Sequence, residues 1–132
     1  MPNELAGKKI LIVDDDRDIL ASLTAALEDM GPEVFTASDG NTAVRLANEK
    51  QPDLVVLDMM LPKRSGFLVL EQLKPDKNKD TPPRVIMITG NQGTRHRIYA
   101  ESLGVNKYVQ KPFRVDKLLE SIQELLGVAG EK

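Results

Sequence analysis

Five short apolar runs alternate along this chain with segments whose apolar residues recur at helical spacing. The runs are continuous rather than alternating, which is typical of strands that are buried on both faces of a parallel sheet. They cover residues 8–13, 34–37, 54–57, 84–89 and 107–110. Because strands separated by helices form βαβ units, we predict an α/β fold: a doubly wound five-stranded parallel sheet with five helices, (βα)5.

The helical segments carry recognisable start and stop signals. The first is predicted at 16–30, with Asp16 as its N-cap and Gly31 and Pro32 as its stop. The others are predicted from Ser38 or Asp39 to a stop at 51–52, and at 67–73, 95–103 and 115–126. The segment at 95–103 has few apolar residues, so we expect a weakly buried, mobile helix. The polar, proline-rich stretch at 74–83 predicts an exposed loop.

Chemically active side chains stand where the predicted strands end. Asp14 and Asp15 follow the first strand, Asp58 closes the third, Thr89 closes the fourth and Lys111 follows the fifth. The carboxyl ends of parallel strands share one edge of the sheet, where open α/β folds place their binding crevice. Taken singly, an aspartate after a strand is also a common N-cap or turn former. Together, these residues predict one acidic pocket.

Neighbouring carboxylates repel one another unless a cation binds or a proton is retained. Oxygen ligands favour a hard cation such as Mg2+, which in turn suits phosphate chemistry. An aspartate can attack a phosphoryl group while a metal ion and a lysine neutralise the phosphoryl oxygens and a hydroxyl donates a hydrogen bond. Asp58, Lys111 and Thr89 are the residues predicted to take these parts.

Composition limits the remaining possibilities. The chain has 132 residues, a formal net charge of -2 and no cysteine, which excludes disulfides and thiol chemistry. No run approaches the roughly 18 apolar residues of a membrane helix. We therefore expect one cytoplasmic domain at 8–127, with a flexible segment at 1–7 and a tail at 128–132. We expect no effector domain after residue 126, no nucleic-acid site within the chain and no membrane contact.

Four motifs together resemble the receiver domain of bacterial response regulators, the CheY-like family of two-component signal transduction. The resemblance runs from about residue 8 to residue 126. The matching pieces are Ile-Leu-Ile-Val-Asp-Asp-Asp at 10–16, Leu-Asp-Met-Met-Leu-Pro at 57–62 with Gly66 following, Ile-Thr-Gly at 88–90 and Tyr-Val-Gln-Lys-Pro-Phe at 108–113. The flavodoxin/CheY-like fold that it implies agrees with the fold predicted from the apolar pattern.

The resemblance also implies a phosphorylation site. Asp58 would be the phosphoacceptor, receiving phosphate from a sensor histidine kinase or a phosphotransfer protein. Asp14, Asp15 and Asp58 would bind Mg2+ together with the backbone carbonyl of Met60. The domain would then be a switch that promotes only its own phosphorylation and dephosphorylation, and not an enzyme acting on another substrate.

The resemblance implies that further residues bind the phosphoryl group or move in response to it. Lys111 would pair with the phosphoryl oxygens, and the bond from Lys111 to Pro112 would be cis. Thr89 would turn toward the phosphate, and Tyr108 would swing inward with it. This movement would reshape a face made of helix 4, strand 5 and helix 5, which would bind a downstream protein.

Two other functions are compatible with parts of the pattern. A Mg2+-dependent phosphohydrolase with an aspartyl nucleophile usually has a second acid two residues later, a position that Met60 takes here. An unphosphorylated receiver-like interaction module would not need the intact acidic set. Met60 and Asn91 are expected to flank the path of an attacking water and so to tune the phosphorylated lifetime. Four cations on the signalling face, Arg95, Arg97, Lys107 and Arg114, form either a basic patch or a scatter of solvated charges.

Overall fold

The structure is a computed structural model that describes residues 4–61, 65–90 and 94–127. The strands are β1 Lys9–Val13, β2 Glu33–Ala37, β3 Leu54–Asp58, β4 Arg84–Thr89 and β5 Lys107–Gln110. The helices are α1 Arg17–Glu28, α2 Gly40–Lys50, α3 Gly66–Leu73, α4 Thr94–Ser102 and α5 Val115–Leu125. The strands form one parallel sheet in the order β2-β1-β3-β4-β5. The predicted fold is confirmed, and the predicted strand ends are matched within one residue.

The sheet buries both of its faces because successive side chains of a strand point in opposite directions. In β1, Ile10 and Ile12 pack with α1 and α5, whereas Leu11 and Val13 pack with α2, α3 and α4. All five residues of β3 are buried. Alternation between two apolar layers therefore explains why these strands read as continuous apolar runs.

The helix boundaries follow the capping chemistry predicted from the sequence. Asp16 caps α1 by accepting hydrogen bonds from the backbone N–H groups of Asp18 and Ile19. Asp39, rather than Ser38, caps α2 by accepting from the N–H of Thr42 at 2.8 Å. Each cap satisfies backbone donors that the first turn of a helix leaves unpaired.

The segment at 74–83 is only partly the exposed loop that its composition predicts. Residues 75–80 are exposed, but Lys74 is buried with 1% of its surface exposed. Its ammonium donates hydrogen bonds to the carbonyls of Thr81 and Pro83 and to the Thr81 hydroxyl. The prediction is wrong for Lys74 because a long side chain can fold beneath its own loop and bind the carbonyls there.

Leu5, in the segment predicted to be flexible at 1–7, packs against the α1 and α5 side of the core. Its side chain is fully buried, and its backbone N–H donates to the carbonyl of Met30 at 2.8 Å. The packed unit therefore includes residues before the predicted boundary at residue 8.

Helix α4 has the thin apolar coverage that its sequence predicts. Among its described side chains only Ala100 is buried, while Ile98 is 62% and Tyr99 45% exposed. Within the described ranges, every helix is too short or too polar to cross a membrane.

Candidate functional site

The carboxyl ends of β1, β3, β4 and β5 bring the predicted site residues into one pocket. Asp14 and Asp58 are buried, Asp15 is exposed, and each of the three offers a carboxylate oxygen within 4.8 Å of the others. The Nζ atom of Lys111 lies 3.0 Å from Oδ2 of Asp14 and 3.5 Å from Oδ2 of Asp58. One lysine thus pairs with the two buried carboxylates of the cluster.

Local hydrogen bonds hold the two buried carboxylates in place. Oδ1 of Asp14 accepts from the N–H of Asp16 at 2.9 Å, which turns the chain from β1 into α1. Oδ1 of Asp58 accepts from the N–H of Met60 at 3.2 Å. In both cases the short side chain bonds the backbone two residues further on, as aspartates in turns commonly do.

The end of β5 is joined to the end of β4 beside this pocket. The N–H of Lys111 donates to the carbonyl of Thr89 at 2.7 Å, and the Lys111–Pro112 peptide bond is cis. Thr89 is fully buried, and Tyr108 is half-buried with its hydroxyl donating to Sδ of Met59 at 3.8 Å. Thr89 therefore lies at the strand end bonded to Lys111, and Tyr108 contacts the residue that follows Asp58.

Gly66 was noted in the sequence only as part of a motif, yet it shapes the pocket. Its N–H donates to the carbonyl of Met59 at 2.9 Å, so the first residue of α3 lies directly on the end of β3. A Cβ atom at Gly66 would lie 2.6 Å from the carbonyl oxygen of Asp58 and 2.6 Å from Cα of Met59. Glycine is required there by close backbone approach rather than by an unusual φ angle.

Not every residue predicted near the site can be placed. Asn91 lies outside the described residues. Met60 is 66% exposed, and its backbone N–H bonds the Asp58 carboxylate. Three of the four cations predicted on the signalling face pair with carboxylates: Arg97 with Glu101 at 3.2 Å, Lys107 with Glu124 at 2.6 Å and Arg114 with Asp116 at 2.9 Å. These pairs neutralise much of the expected basic charge.

Burial and neighbouring charge both act on the phosphoacceptor candidate. Burial, followed by the Asp14 carboxylate, raises the pKa of Asp58 from 3.8 to about 6, against the lowering effects of the Met60 N–H and Lys111. For Lys111, burial acts to lower the pKa, but its hydrogen bond to Asp14 and the charges of both buried aspartates raise it overall. The lysine is therefore charged, and the pocket has an excess of negative charge at neutral pH.

This excess predicts that stability depends on pH through Asp58. The folded protein binds the proton of the Asp58 carboxyl group more tightly than the unfolded chain does. Ionising Asp58 therefore destabilises the folded protein: the loss of stability is absent below about pH 4, grows as the pH rises toward 6 and is complete above it. A shift from 3.8 to about 6 corresponds to about 1–3 kcal/mol after allowance for solvent screening. Without divalent cations, we expect the free energy of unfolding of Asp58→Asn to be higher than that of the wild type by this amount at pH 7.5. At pH 4 the two values should differ little.

Urea denaturation in EDTA at several pH values tests this expectation. The difference between wild type and Asp58→Asn is the quantity to follow, because other carboxylates titrate over the same range. Asp29→Asn, at the exposed end of α1, is the matched control and should change stability little at any pH. A difference that stays constant between pH 4 and pH 7.5 would contradict the assignment of the raised pKa to Asp58.

The pocket fits a hard divalent cation. Its donors are all oxygens, the exposed Asp15 leaves one side open to water, and the repulsion that raises the pKa of Asp58 would be relieved by bound positive charge. This sheet order and this pocket are those of an open α/β domain with an acidic site at the carboxyl edge of its sheet.

Comparison with known proteins identifies the class. The model of the response regulator receiver domain matches residues 10–123, and the chain belongs to that family. It is 41% identical over 123 residues to the probable transcriptional regulator ycf27 of Cyanophora paradoxa, covering 93% of this chain and 50% of that protein. The chain spans about half the length of the curated relatives that it matches.

Solved structures agree with the family. A CheY-like receiver domain protein from Methanospirillum hungatei JF-1 superposes with a TM-score of 0.80 at 31% identity, covering 95% of this chain and 98% of that one. The receiver domain of a sensor histidine kinase from Pseudomonas aeruginosa PAO1 superposes with a TM-score of 0.78 at 29% identity, covering 92% and 99%. The latter structure has a magnesium ion coordinated in its active-site cleft.

Proposed function

We propose that this receiver domain accepts a phosphoryl group on Asp58 in a Mg2+-dependent reaction and thereby switches a protein-protein interaction. The observation that carries the proposal is the cluster of three carboxylates with oxygens within 4.8 Å of one another, facing the Lys111 ammonium. Asp14, Asp15, Asp58 and the backbone carbonyl of Met60 would hold Mg2+. The ion would supply positive charge that offsets carboxylate repulsion and the charge of the phosphoryl oxygens.

In the proposed reaction, a carboxylate oxygen of Asp58 attacks the phosphorus atom of a phosphohistidine. A new O–P bond forms as the P–N bond breaks, and the histidine nitrogen leaves with the bond's electron pair and is protonated. Lys111 stabilises charge on the phosphoryl oxygens, because its Nζ already lies 3.5 Å from Oδ2 of Asp58. The phosphodonor would be a sensor histidine kinase or a phosphotransfer protein, both cytoplasmic partners of a cytoplasmic domain.

The proposed output uses α4, β5 and α5. Thr89 ends β4 one residue after Ile88, the register partner of Asp58, and Tyr108 lies on the neighbouring strand β5. When the Thr89 hydroxyl turns to the phosphoryl group, Tyr108 loses a neighbour and repositions, so the populations of two surface states shift. The downstream target is a protein that distinguishes these two states. The domain changes only its own phosphorylation and catalyses no reaction on another substrate.

Intact-mass measurement with peptide mapping tests the proposal. After incubation with acetyl phosphate and Mg2+, we expect one added phosphoryl group on the peptide containing Asp58. Asp58→Asn should take up none, because an amide is not a competent nucleophile here, and EDTA should block the reaction in the wild type. Asp53→Asn, which lies just before β3 at the end away from Asp58, is the matched control and should be labelled normally. Unchanged labelling of Asp58→Asn would overturn the assignment.

A further inference from the structure

The hydroxyl of Tyr108 takes part in a short hydrogen-bond relay. Its O–H donates to Sδ of Met59 at 3.8 Å, a distance within the range for sulfur acceptors. Burial raises the pKa of Tyr108, while its hydrogen bond with the Thr89 side chain acts in the opposite direction. The relay joins the side chains of Thr89, Tyr108 and Met59.

Met59 is bonded through its backbone and buried through its side chain. It follows the phosphoacceptor directly, its N–H donates to the carbonyl of Ile88 at 2.9 Å, and its carbonyl accepts from the N–H of Gly66 at 2.9 Å. Its side chain is only 3% exposed, whereas that of the next residue, Met60, is 66% exposed. The sulfur is therefore a buried acceptor on the residue that directly follows Asp58.

We propose that Met59 is a positioning residue whose thioether holds Tyr108 in its half-buried place and ties it to the phosphoacceptor strand. The inference rests on the proposed function in one respect: it gives Tyr108 a second anchor once the Thr89 hydroxyl turns away. Among the described residues, Met59 is then the remaining hydrogen-bond partner of the phenol. Met59 would accordingly set how far Tyr108 stays half-buried in either state of the domain.

Simple packing is the competing explanation. Met59 and Tyr108 belong to the same apolar layer, so an aliphatic side chain of similar volume would fill the space equally well. Met59→Leu keeps the volume and removes the acceptor. Met87 is a matched control because it is fully buried in the same layer and lies beside Tyr108 in the register of β4 and β5, but accepts no hydrogen bond from it among the described residues.

Tyrosine fluorescence can report on this contact directly. The chain has two tyrosines and no tryptophan, so Tyr99→Phe leaves Tyr108 as the only emitter. The hydroxyl of Tyr99 bonds only the exposed Glu71 among the described residues, so this background leaves the relay intact. In that background, the acrylamide quenching constant measures how often Tyr108 is exposed.

We expect Met59→Leu to raise the quenching constant of the unphosphorylated protein by about two- to fivefold, the effect of losing one weak hydrogen bond. Met87→Leu should leave the constant unchanged. Equal quenching in the Met59→Leu variant and its parent would overturn the inference. An equal increase in both leucine variants would also overturn it, because it would reflect a loosened core rather than a lost acceptor.

A second arm separates this inference from the proposed function. The same proteins are treated with acetyl phosphate and Mg2+, and phosphorylation is read from intact mass. When both proteins are phosphorylated, the difference between the quenching constants of the parent and of Met59→Leu should widen, because the Thr89 hydroxyl no longer bonds the phenol. If the two quenching constants became equal on phosphorylation, the role of Met59 as the second anchor would be overturned. If no phosphoryl group is added, the proposed function fails, and the unphosphorylated comparison still decides the inference.

Discussion

Gly66→Ala should lower the free energy of unfolding by about 3 kcal/mol or more, since its methyl group would enter a space occupied by backbone. The new Cβ would lie 2.6 Å from both the Asp58 carbonyl oxygen and Cα of Met59. Neither neighbour can rotate away as a flexible side chain would, so α3 must shift from the end of β3. The shift would break the hydrogen bond from Gly66 to Met59 and displace Asp58 itself.

Urea denaturation and a Mg2+ titration measure the two consequences. We expect a lower midpoint and at least about tenfold weaker Mg2+ binding, because small displacements of a ligand set are costly. Gly90→Ala is the matched control, since a Cβ at Gly90 meets nothing within 4 Å and needs no left-handed backbone. It should be neutral or slightly stabilising. If Gly66→Ala behaved like Gly90→Ala, the close contact would not constrain the pocket.

The strands and their ends were predictable because parallel sheet leaves a direct trace in the sequence. Ile10 and Ile12 face one helical layer while Leu11 and Val13 face the other, so all four must be apolar. The caps Asp16 and Asp39 were predictable for a similar reason, since each acts on backbone within three residues. Local rules of this kind can be applied before any tertiary contact is known.

Contacts between distant segments were not predictable in the same way. Lys74 belongs to a polar stretch, and only the folded loop shows its ammonium bound to carbonyls at Thr81 and Pro83. The contact from Tyr108 to Met59 joins residues 49 positions apart. The ion pair of Lys107 with Glu124 similarly depends on how β5 and α5 are arranged. In a sequence, a charged or polar residue predicts exposure to solvent. Which group it pairs with depends on the tertiary structure.

The candidate site lies between these two cases. Its residues were predictable because the carboxyl ends of parallel strands converge. Which carboxylate the lysine neutralises could be known only from interatomic distances in the folded protein. Lys111 is closer to Asp14 than to Asp58, at 3.0 Å against 3.5 Å. In the unphosphorylated domain the lysine therefore acts first as the counterion of Asp14. Its proposed role toward a phosphoryl group on Asp58 is added to this structural one.

This double role predicts opposite effects when Lys111 is replaced by methionine. In EDTA, the variant should be less stable than the wild type by about 3–5 kcal/mol, because the fully buried Asp14 loses its cation. Mg2+ should bind at least about tenfold more tightly, because a positive charge no longer competes for the same carboxylates. Lys111→Arg is the control, since it keeps the charge and should change both quantities much less.

Urea denaturation in EDTA and calorimetric titration with Mg2+ measure the two effects on the same samples. Saturating Mg2+ should restore much of the lost stability, because a ligand stabilises the folded state according to its affinity and concentration. A merely misfolded pocket would lose stability and Mg2+ affinity together. Weaker Mg2+ binding by Lys111→Met would therefore contradict the charge balance described here, whereas the opposed changes would show that Lys111 and Mg2+ neutralise the same carboxylates.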